Sequence, residues 1–162
     1  DRLHEAGLIY DAHIMTGVAG KGRGMENAEA LAQFLNRTNP AHVVNFSMFL
    51  HKEVPLYQDI RQGTFVPADE LETIREEYHL IERIAPEKAG ANILYDGFHD
   101  FIHVRVRGHL PGDKEKMLAK LNGIIQEYEG KEPVYSFVQG ECPDLEYCDD
   151  GKAVWDMDRK TS

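Results

Sequence analysis

The order of apolar and polar positions along the chain predicts strands that alternate with helices. Residues 8–16 form a short apolar-rich run typical of a buried strand, and a loop with four glycines follows it. Residues 25–36 then have apolar side chains at helical spacing, and residues 41–50 have the pattern of the next strand. Together they predict a strand–loop–helix–strand unit with parallel strands and a right-handed crossover.

The middle of the chain contains a helix-start signal. Asp69 and Glu72 have the spacing of a capping box, so a helix is predicted to begin after Asp69 and to stop before Pro86. Upstream of it, Pro55 is expected to end the second strand and Gly63 to mark a turn.

The rest of the chain predicts two short strands and a final helix. The strands are expected at residues 91–95 and 101–106, the helix opens at residues 111–113, and residues 134–138 have a weaker strand pattern. This alternation predicts an α/β fold with a mostly parallel sheet and flanking helices.

Length and charge narrow the class of protein. The chain has 162 residues and a net charge of −10, and 42% of its residues are hydrophobic. We expect one main folded unit at residues 1–130 and an acidic C-terminal extension at 131–162. Such a negative charge argues against general nucleic-acid binding. No apolar run is long enough for a membrane span, and the N-terminus has no signal-peptide pattern, so a cytoplasmic location is expected.

Three stretches could contain chemistry. The glycine loop would expose backbone N–H groups to an anion, but Arg23 and Gly24 stand where a phosphate-binding P-loop needs Lys and then Ser or Thr. His99 and His103 imitate the spacing of a zinc protease, yet their apolar flanks predict a strand, which separates them by about 13 Å. They are expected to be ordinary surface or half-buried histidines, so no metal site is predicted.

The two cysteines set a limit on metal chemistry. Cys142 and Cys148 lie six positions apart near the C-terminus, among acidic residues. Two thiolates cannot hold a Cys₄ zinc or a [4Fe–4S] cluster, and the spacing matches no common zinc pattern. A solvated acidic tail is the simpler interpretation.

The segment around the glycine loop resembles a known family. Residues 13–20 (His-Ile-Met-Thr-Gly-Val-Ala-Gly) and the helix after them resemble the fifth strand and turn of radical S-adenosylmethionine (radical SAM) enzymes. The acidic residue that sometimes follows this turn in the family corresponds to Glu26 or Glu29. The similarity covers roughly residues 2–128. It is to one bacterial subgroup of the family, whose members are labelled iron–sulfur oxidoreductases or coproporphyrinogen oxidase-like proteins. Four later segments take part, at residues 54–57, 63–65, 96–99 and 110–114.

The resemblance implies a fold and a missing part. Radical SAM enzymes have a partial (β/α)₆ barrel of the TIM type, and their cluster is held by a Cys-x₃-Cys-x₂-Cys loop after the first strand. Nothing in this chain matches that loop, so it is similar to the C-terminal half of a longer enzyme. Residues 1–6 agree with this expectation, because a helix of about six residues is too short to be stable alone and the chain has no initiating Met.

The same resemblance implies the site residues and the partners. Met15 and Gly17 would meet the adenine of S-adenosylmethionine, while Ser47, Met48 and Phe49 would border it. The full-length parent would be an oxidoreductase that binds S-adenosylmethionine and a [4Fe–4S] cluster, and it would act on a substrate that the sequence does not specify. No catalytic residue is assigned within this chain. We expect the chain alone to be inactive and to carry no resident cofactor.

Two further expectations concern the partners of the chain and an alternative function. The strand at residues 8–16 should lie at an unpaired sheet edge, where the N-terminal half of the parent would pair or the chain would associate with itself. The alternative is a small non-catalytic α/β binding or interaction domain that uses its glycine loop for an anionic ligand.

Overall fold

The computed structural model describes residues 2–99, 102–136, 148–149 and 152–153. Its elements are α1 (Arg2–Glu5), β1 (Asp11–Thr16), α2 (Gly24–Thr38), β2 (His42–Ser47), α3 (Pro55–Gln62), α4 (Glu70–Arg83), β3 (Ile93–His99), β4 (Val104–Leu110), α5 (Lys114–Tyr128), β5 (Cys148–Asp149) and β6 (Lys152–Ala153). The larger sheet has the order β1-β2-β3-β4, and β5 pairs with β6. The α/β prediction is therefore confirmed.

The larger sheet is mostly parallel, as expected. Strands β1, β2 and β3 pair in parallel, while β4 runs antiparallel to β3. A parallel pair needs a long crossover, and here α2 connects β1 to β2 while α3 and α4 lie between β2 and β3. Strand β1 lies at one edge of this sheet, as the sequence predicted.

Helices cover one face of the sheet. Every second residue along each strand points to this face, which we call the covered face. These residues pack in one core with residues of α2, α4 and α5. The strand members of this core are Ala12, Ile14, Val43, Ile93, Tyr95, Val104, Val106 and Leu110.

The opposite face, which we call the open face, has a different composition. Its residues form three rows across the four strands, and most of them are exposed or half-buried. The rows are Met15–Phe46–Phe98–Arg105, His13–Val44–Asp96–Arg107 and Asp11–His42–Leu94–His109. Parallel sheets are ordinarily covered on both faces, so an open face with several apolar side chains is unusual.

The structure differs from the sequence predictions at two connections. Residues 55–63 were expected to be a strand end and a turn, but they form α3, because Pro55 suits a first helical turn and Gly63 ends the helix in a left-handed conformation. The predicted start of the strand at 101–106 is also wrong. The chain turns at Ile102 and His103, and β4 begins only at Val104.

The C-terminal predictions lie largely outside the described residues. Tyr135 forms an isolated bridge within the predicted strand at 134–138, but residues 137 and 138 lie outside the described part, as does Cys142. Within the described residues, no helix is both long enough and apolar enough to cross a membrane.

Candidate functional site

Four of the five predicted site residues lie at the carboxyl ends of β1 and β2. The backbone N–H of Met48 donates to the carbonyl oxygen of Thr16 at 3.0 Å, which joins the two strand ends. Met15 is 38% exposed on the open face and Phe49 is 40% exposed just beyond β2. Gly17 is buried with a φ of 86°, and a Cβ added there would lie 3.5 Å from that of Met48.

The fifth predicted residue has its side chain on the other face. Ser47 is only 2% exposed, and its Oγ lies 2.7 Å from Nδ1 of His99. Since β2 alternates between the faces, Ser47 shares the covered face with Val43 and Asn45. Its side chain is therefore separated from that of Met15 by the sheet.

A buried ionic network occupies the covered face at this end of the sheet. Nε2 of His99 lies 2.9 Å from Oε2 of Glu77, and Nδ1 lies 3.3 Å from Oε2 of Glu70. All three side chains are completely buried. The hydroxyl of Ser136 donates to Oε1 of Glu70. Buried carboxylates require such partners, because an isolated buried charge is strongly destabilising.

Glu77 has two further donors. Asn45 Nδ2 donates to its Oε1 at 3.2 Å, and the Tyr95 hydroxyl donates to the same oxygen at 2.9 Å. Burial raises the pKa of Tyr95, and the neighbouring Glu77 charge adds to this shift. Tyr95 therefore remains a neutral hydroxyl that can donate.

The protonation of His99 decides what this network can do. Burial alone would lower its pKa, but Glu77 and Glu70 outweigh burial and raise the pKa to about 10. The ring is therefore an imidazolium at neutral pH and cannot accept a proton from Ser47. In the fold, the Ser–His–Glu contacts supply the partners that these buried polar and charged side chains require.

The expectation of a surface or half-buried His99 is wrong. The residue is 1% exposed, because α4 supplies the countercharges that let an imidazolium be buried. A sequence signal for this did exist: Glu70 and Glu77 share a helical stripe with Ile74 and Ile81, so they must face the core. His103 lies in the turn before β4, with a φ of 55°.

The glycine loop has carboxylates bound to its amides. The Gly17 N–H donates to Oε2 of Glu76 at 3.0 Å, and the Gly22 N–H donates to Oε1 of Glu72 at 3.2 Å. Asn27 Nδ2 donates to Oε1 of Glu76 at 2.5 Å. Burial raises the pKa of Glu76, against the effect of its donors Asn27 and Gly17. Side chains of α4 thus take positions that an external anion would need.

A cavity of about 180 Å³ lies beside this loop. Its polar wall comes mainly from α4, with Glu72, Arg75, Glu76 and His79, and Met25 supplies an apolar part. Two carboxylates against one guanidinium make the wall unfavourable for anions. Over the residues that the structure describes, no group of three or more His, Cys, Asp or Glu side chains is arranged to hold a metal ion.

Comparisons of the chain with protein-family models, with curated proteins and with solved structures give no match in any of the three.

Proposed function

We propose that this chain forms the C-terminal half of a radical SAM partial barrel. In this role it would supply part of the S-adenosylmethionine nucleoside pocket and part of the substrate wall. The main support is the one-sided covering of a mostly parallel sheet, with α2, α4 and α5 on the covered face. In a (β/α) barrel, helices cover the outer face alone, and the inner face lines the interior.

The grouping of Met15, Gly17, Met48 and Phe49 is the second support. In α/β sheets and barrels, ligands bind beyond the carboxyl ends of the parallel strands, where these residues lie. Met and Phe side chains suit the flat surface of an adenine. Gly17, which has no Cβ, lets Thr73 and Met48 pack closely against the turn between these residues. The side chain of Ser47 belongs to the covered face, so only its backbone would border the pocket.

The iron–sulfur cluster of the proposed parent needs ligands from elsewhere. A [4Fe–4S] cluster takes cysteine thiolates, and the two cysteines of this chain, Cys142 and Cys148, do not fit the three-cysteine loop of the family. In the proposal, the N-terminal half of the parent holds the cluster, which supplies the electron for reductive cleavage of S-adenosylmethionine. This chain alone then has no activity.

The alternative of an anion-binding domain has less support. Its glycine loop would have to release Glu72 and Glu76 from the amides of Gly22 and Gly17 before an anion could bind. Two adjacent carboxylates would also repel that anion.

Calorimetric titration with S-adenosylmethionine tests the proposal, with Phe49→Ala and Phe34→Ala as a matched pair. Both phenylalanines are about half exposed, at 40% and 49%, but Phe34 lies on α2 away from the strand ends. We expect saturable binding that Phe49→Ala weakens about fivefold or more through lost ring contact and that Phe34→Ala leaves unchanged. No binding, or equal effects of both variants, would contradict the proposal. Tighter binding of inorganic phosphate that Gly22→Val abolishes would favour the anion-binding domain.

A further inference from the structure

The open face contains a pair of arginines joined by one carboxylate, which we call the arginine clamp. Arg105 donates from Nε to Oδ1 of Asp96 at 2.8 Å and from Nη2 to Oδ2 at 2.6 Å. Nε of Arg107 lies 3.6 Å from the same Oδ2. The Asp96 side chain is 6% exposed, while those of Arg105 and Arg107 are 53% and 56% exposed. The carboxylate is thus buried under two guanidinium groups that remain open to solvent.

The strand register produces this arrangement. Asp96 pairs directly with Arg107 across β3 and β4, and Phe98 pairs with Arg105, so all four side chains lie on the same face. The Arg105 guanidinium also lies 4.7 Å from the centre of the Phe98 ring. Arg105 is therefore held both by a bidentate carboxylate and by a cation–π contact, which limits its freedom before any ligand binds.

The clamp has an uncompensated positive charge. Two guanidinium groups face one carboxylate, whose pKa is lowered by the Arg105 hydrogen bonds and which therefore stays ionised. Among the residues that the structure describes, the other acid on the strands of the open face is Asp11, which lies on β1 in the row next to that of Asp96 and is 3.8 Å from His42. Within the described part of the chain, one positive charge of the clamp thus has no carboxylate partner, on a chain whose net charge is −10.

An apolar surface adjoins the clamp. The rings of Phe46 and Phe98 stack with their centres 5.5 Å apart and an angle of 14° between their planes. Both rings are half-buried. In the next row, Val44 of β2 lies between His13 of β1 and Asp96 of β3. Because Phe46 and Arg105 flank the Phe98 ring on its two sides, a ligand on this surface would touch ring edges at one end and guanidinium N–H groups at the other.

We propose that the open face binds a small organic acid whose carboxylate contacts Arg105 and Arg107 and whose flat apolar body lies against Phe46 and Phe98. Guanidinium groups match the geometry of a carboxylate, and the charge of the clamp selects an anion. A nucleic acid is disfavoured because the chain as a whole repels a polyanion. This inference goes beyond the proposed function and does not require it, since the clamp belongs to the sheet itself.

Calorimetry with 2-naphthoate, a flat aromatic carboxylate, tests this site. The uncharged 2-naphthylmethanol has the same ring system, and inorganic phosphate has the charge without the ring. We expect saturable binding of 2-naphthoate and about tenfold or weaker binding of either control ligand, because each lacks one half of the interaction.

Two variants locate the binding. Arg107→Gln removes one guanidinium and should weaken 2-naphthoate binding about tenfold, while Arg75→Gln should leave it unchanged. Arg75 is a suitable control because it is 41% exposed and ion-paired to Glu129 on the covered side of the protein. Urea unfolding of each variant verifies that the fold is retained. The proposal is overturned by absent binding, by equal binding of Arg107→Gln, or by equal affinity for either control ligand.

Discussion

The Nε2 atom of His99 lies 2.9 Å from Oε2 of Glu77, and both side chains are completely buried. This contact joins the carboxyl end of β3 to the middle of α4. It also explains why an acidic helix can pack on the sheet, because each buried carboxylate has a cationic or hydrogen-bonding partner.

The stability of the protein should depend on pH through His99. Its pKa is raised from 6.5 to about 10 in the folded state, so the proton favours folding. The stabilisation is complete below pH 6.5 and is lost as the pH rises toward 10. We expect the free energy of unfolding, measured by urea denaturation, to fall across this range.

Replacement of His99 tests the same interaction directly. His99→Gln leaves Glu70 and Glu77 without their cation and should lower the free energy of unfolding by about 3 kcal/mol or more at pH 7. The control is His79→Gln, at a partly exposed residue of α4, the helix that carries Glu70 and Glu77. This variant should change the free energy of unfolding by about 0.5 kcal/mol or less. If His99→Gln keeps the same decline between pH 6.5 and 10, the assignment of that decline to His99 is wrong.

Gly97 is required by the position of Glu77. A Cβ at Gly97 would collide with Oε1 of Glu77 and lie 2.9 Å from its carboxyl carbon. Gly97→Ala should therefore destabilise the protein by about 2 kcal/mol or more, as measured by thermal or urea unfolding. Gly123→Ala, in α5 with no atom within 4 Å, should instead stabilise by about 0.5 kcal/mol. Equal effects would show that Glu77 does not occupy this position.

Gly17 combines a left-handed backbone with a close contact. Gly17→Ala adds backbone strain at a φ of 86° and places a Cβ 3.0 Å from Cγ2 of Thr73. Gly22→Ala has comparable strain at a φ of 74° but meets no atom within 4 Å. Each should lose about 1 kcal/mol through strain, and Gly17→Ala about 1 kcal/mol more through crowding. Urea unfolding gives the difference, and a smaller loss for Gly17→Ala would contradict the packing described.

The edge strand β1 should promote self-association of the chain. Within the part that the structure describes, β1 pairs with β2 alone, and Ile9 just before it is 86% exposed. An unpaired edge beside exposed apolar residues favours pairing with a second chain. We expect sedimentation velocity to show association that rises with concentration and that Ile9→Lys reduces. Phe34→Lys, on α2, is the matched control and should have no effect; a monomer at all concentrations would oppose the prediction.

Local signals in the sequence were sufficient for several elements. The periodicity of residues 25–36 predicted α2, observed at Gly24–Thr38, and the capping box was confirmed, with the Glu72 N–H 2.8 Å from Oδ1 of Asp69. Helix α3 was missed because Pro55 both ends an extended segment and begins a helix, and the sequence pattern there does not separate the two.

The buried network could not be derived from local signals. The burial of His99 depends on Glu70 and Glu77, which lie more than 20 positions away and reach it only through the packing of α4 on the sheet. The grouping of Met15 with Met48 needed only the rule that parallel strand ends meet at one edge. The alternation of β2 could already have assigned Ser47 to the covered face.

Methionine-methyl NMR with S-adenosylmethionine tests the central proposal most directly, because the methionines of this chain sample different regions. Met15 and Met48 lie at the strand ends, Met25 lines the cavity beside the glycine loop, and Met117 is buried in the core. We predict that S-adenosylmethionine shifts the methyl signals of Met15 and Met48 and leaves those of Met25 and Met117 in place. A shift of Met25 alone, or of none of the four, would contradict a nucleoside pocket at the ends of β1 and β2.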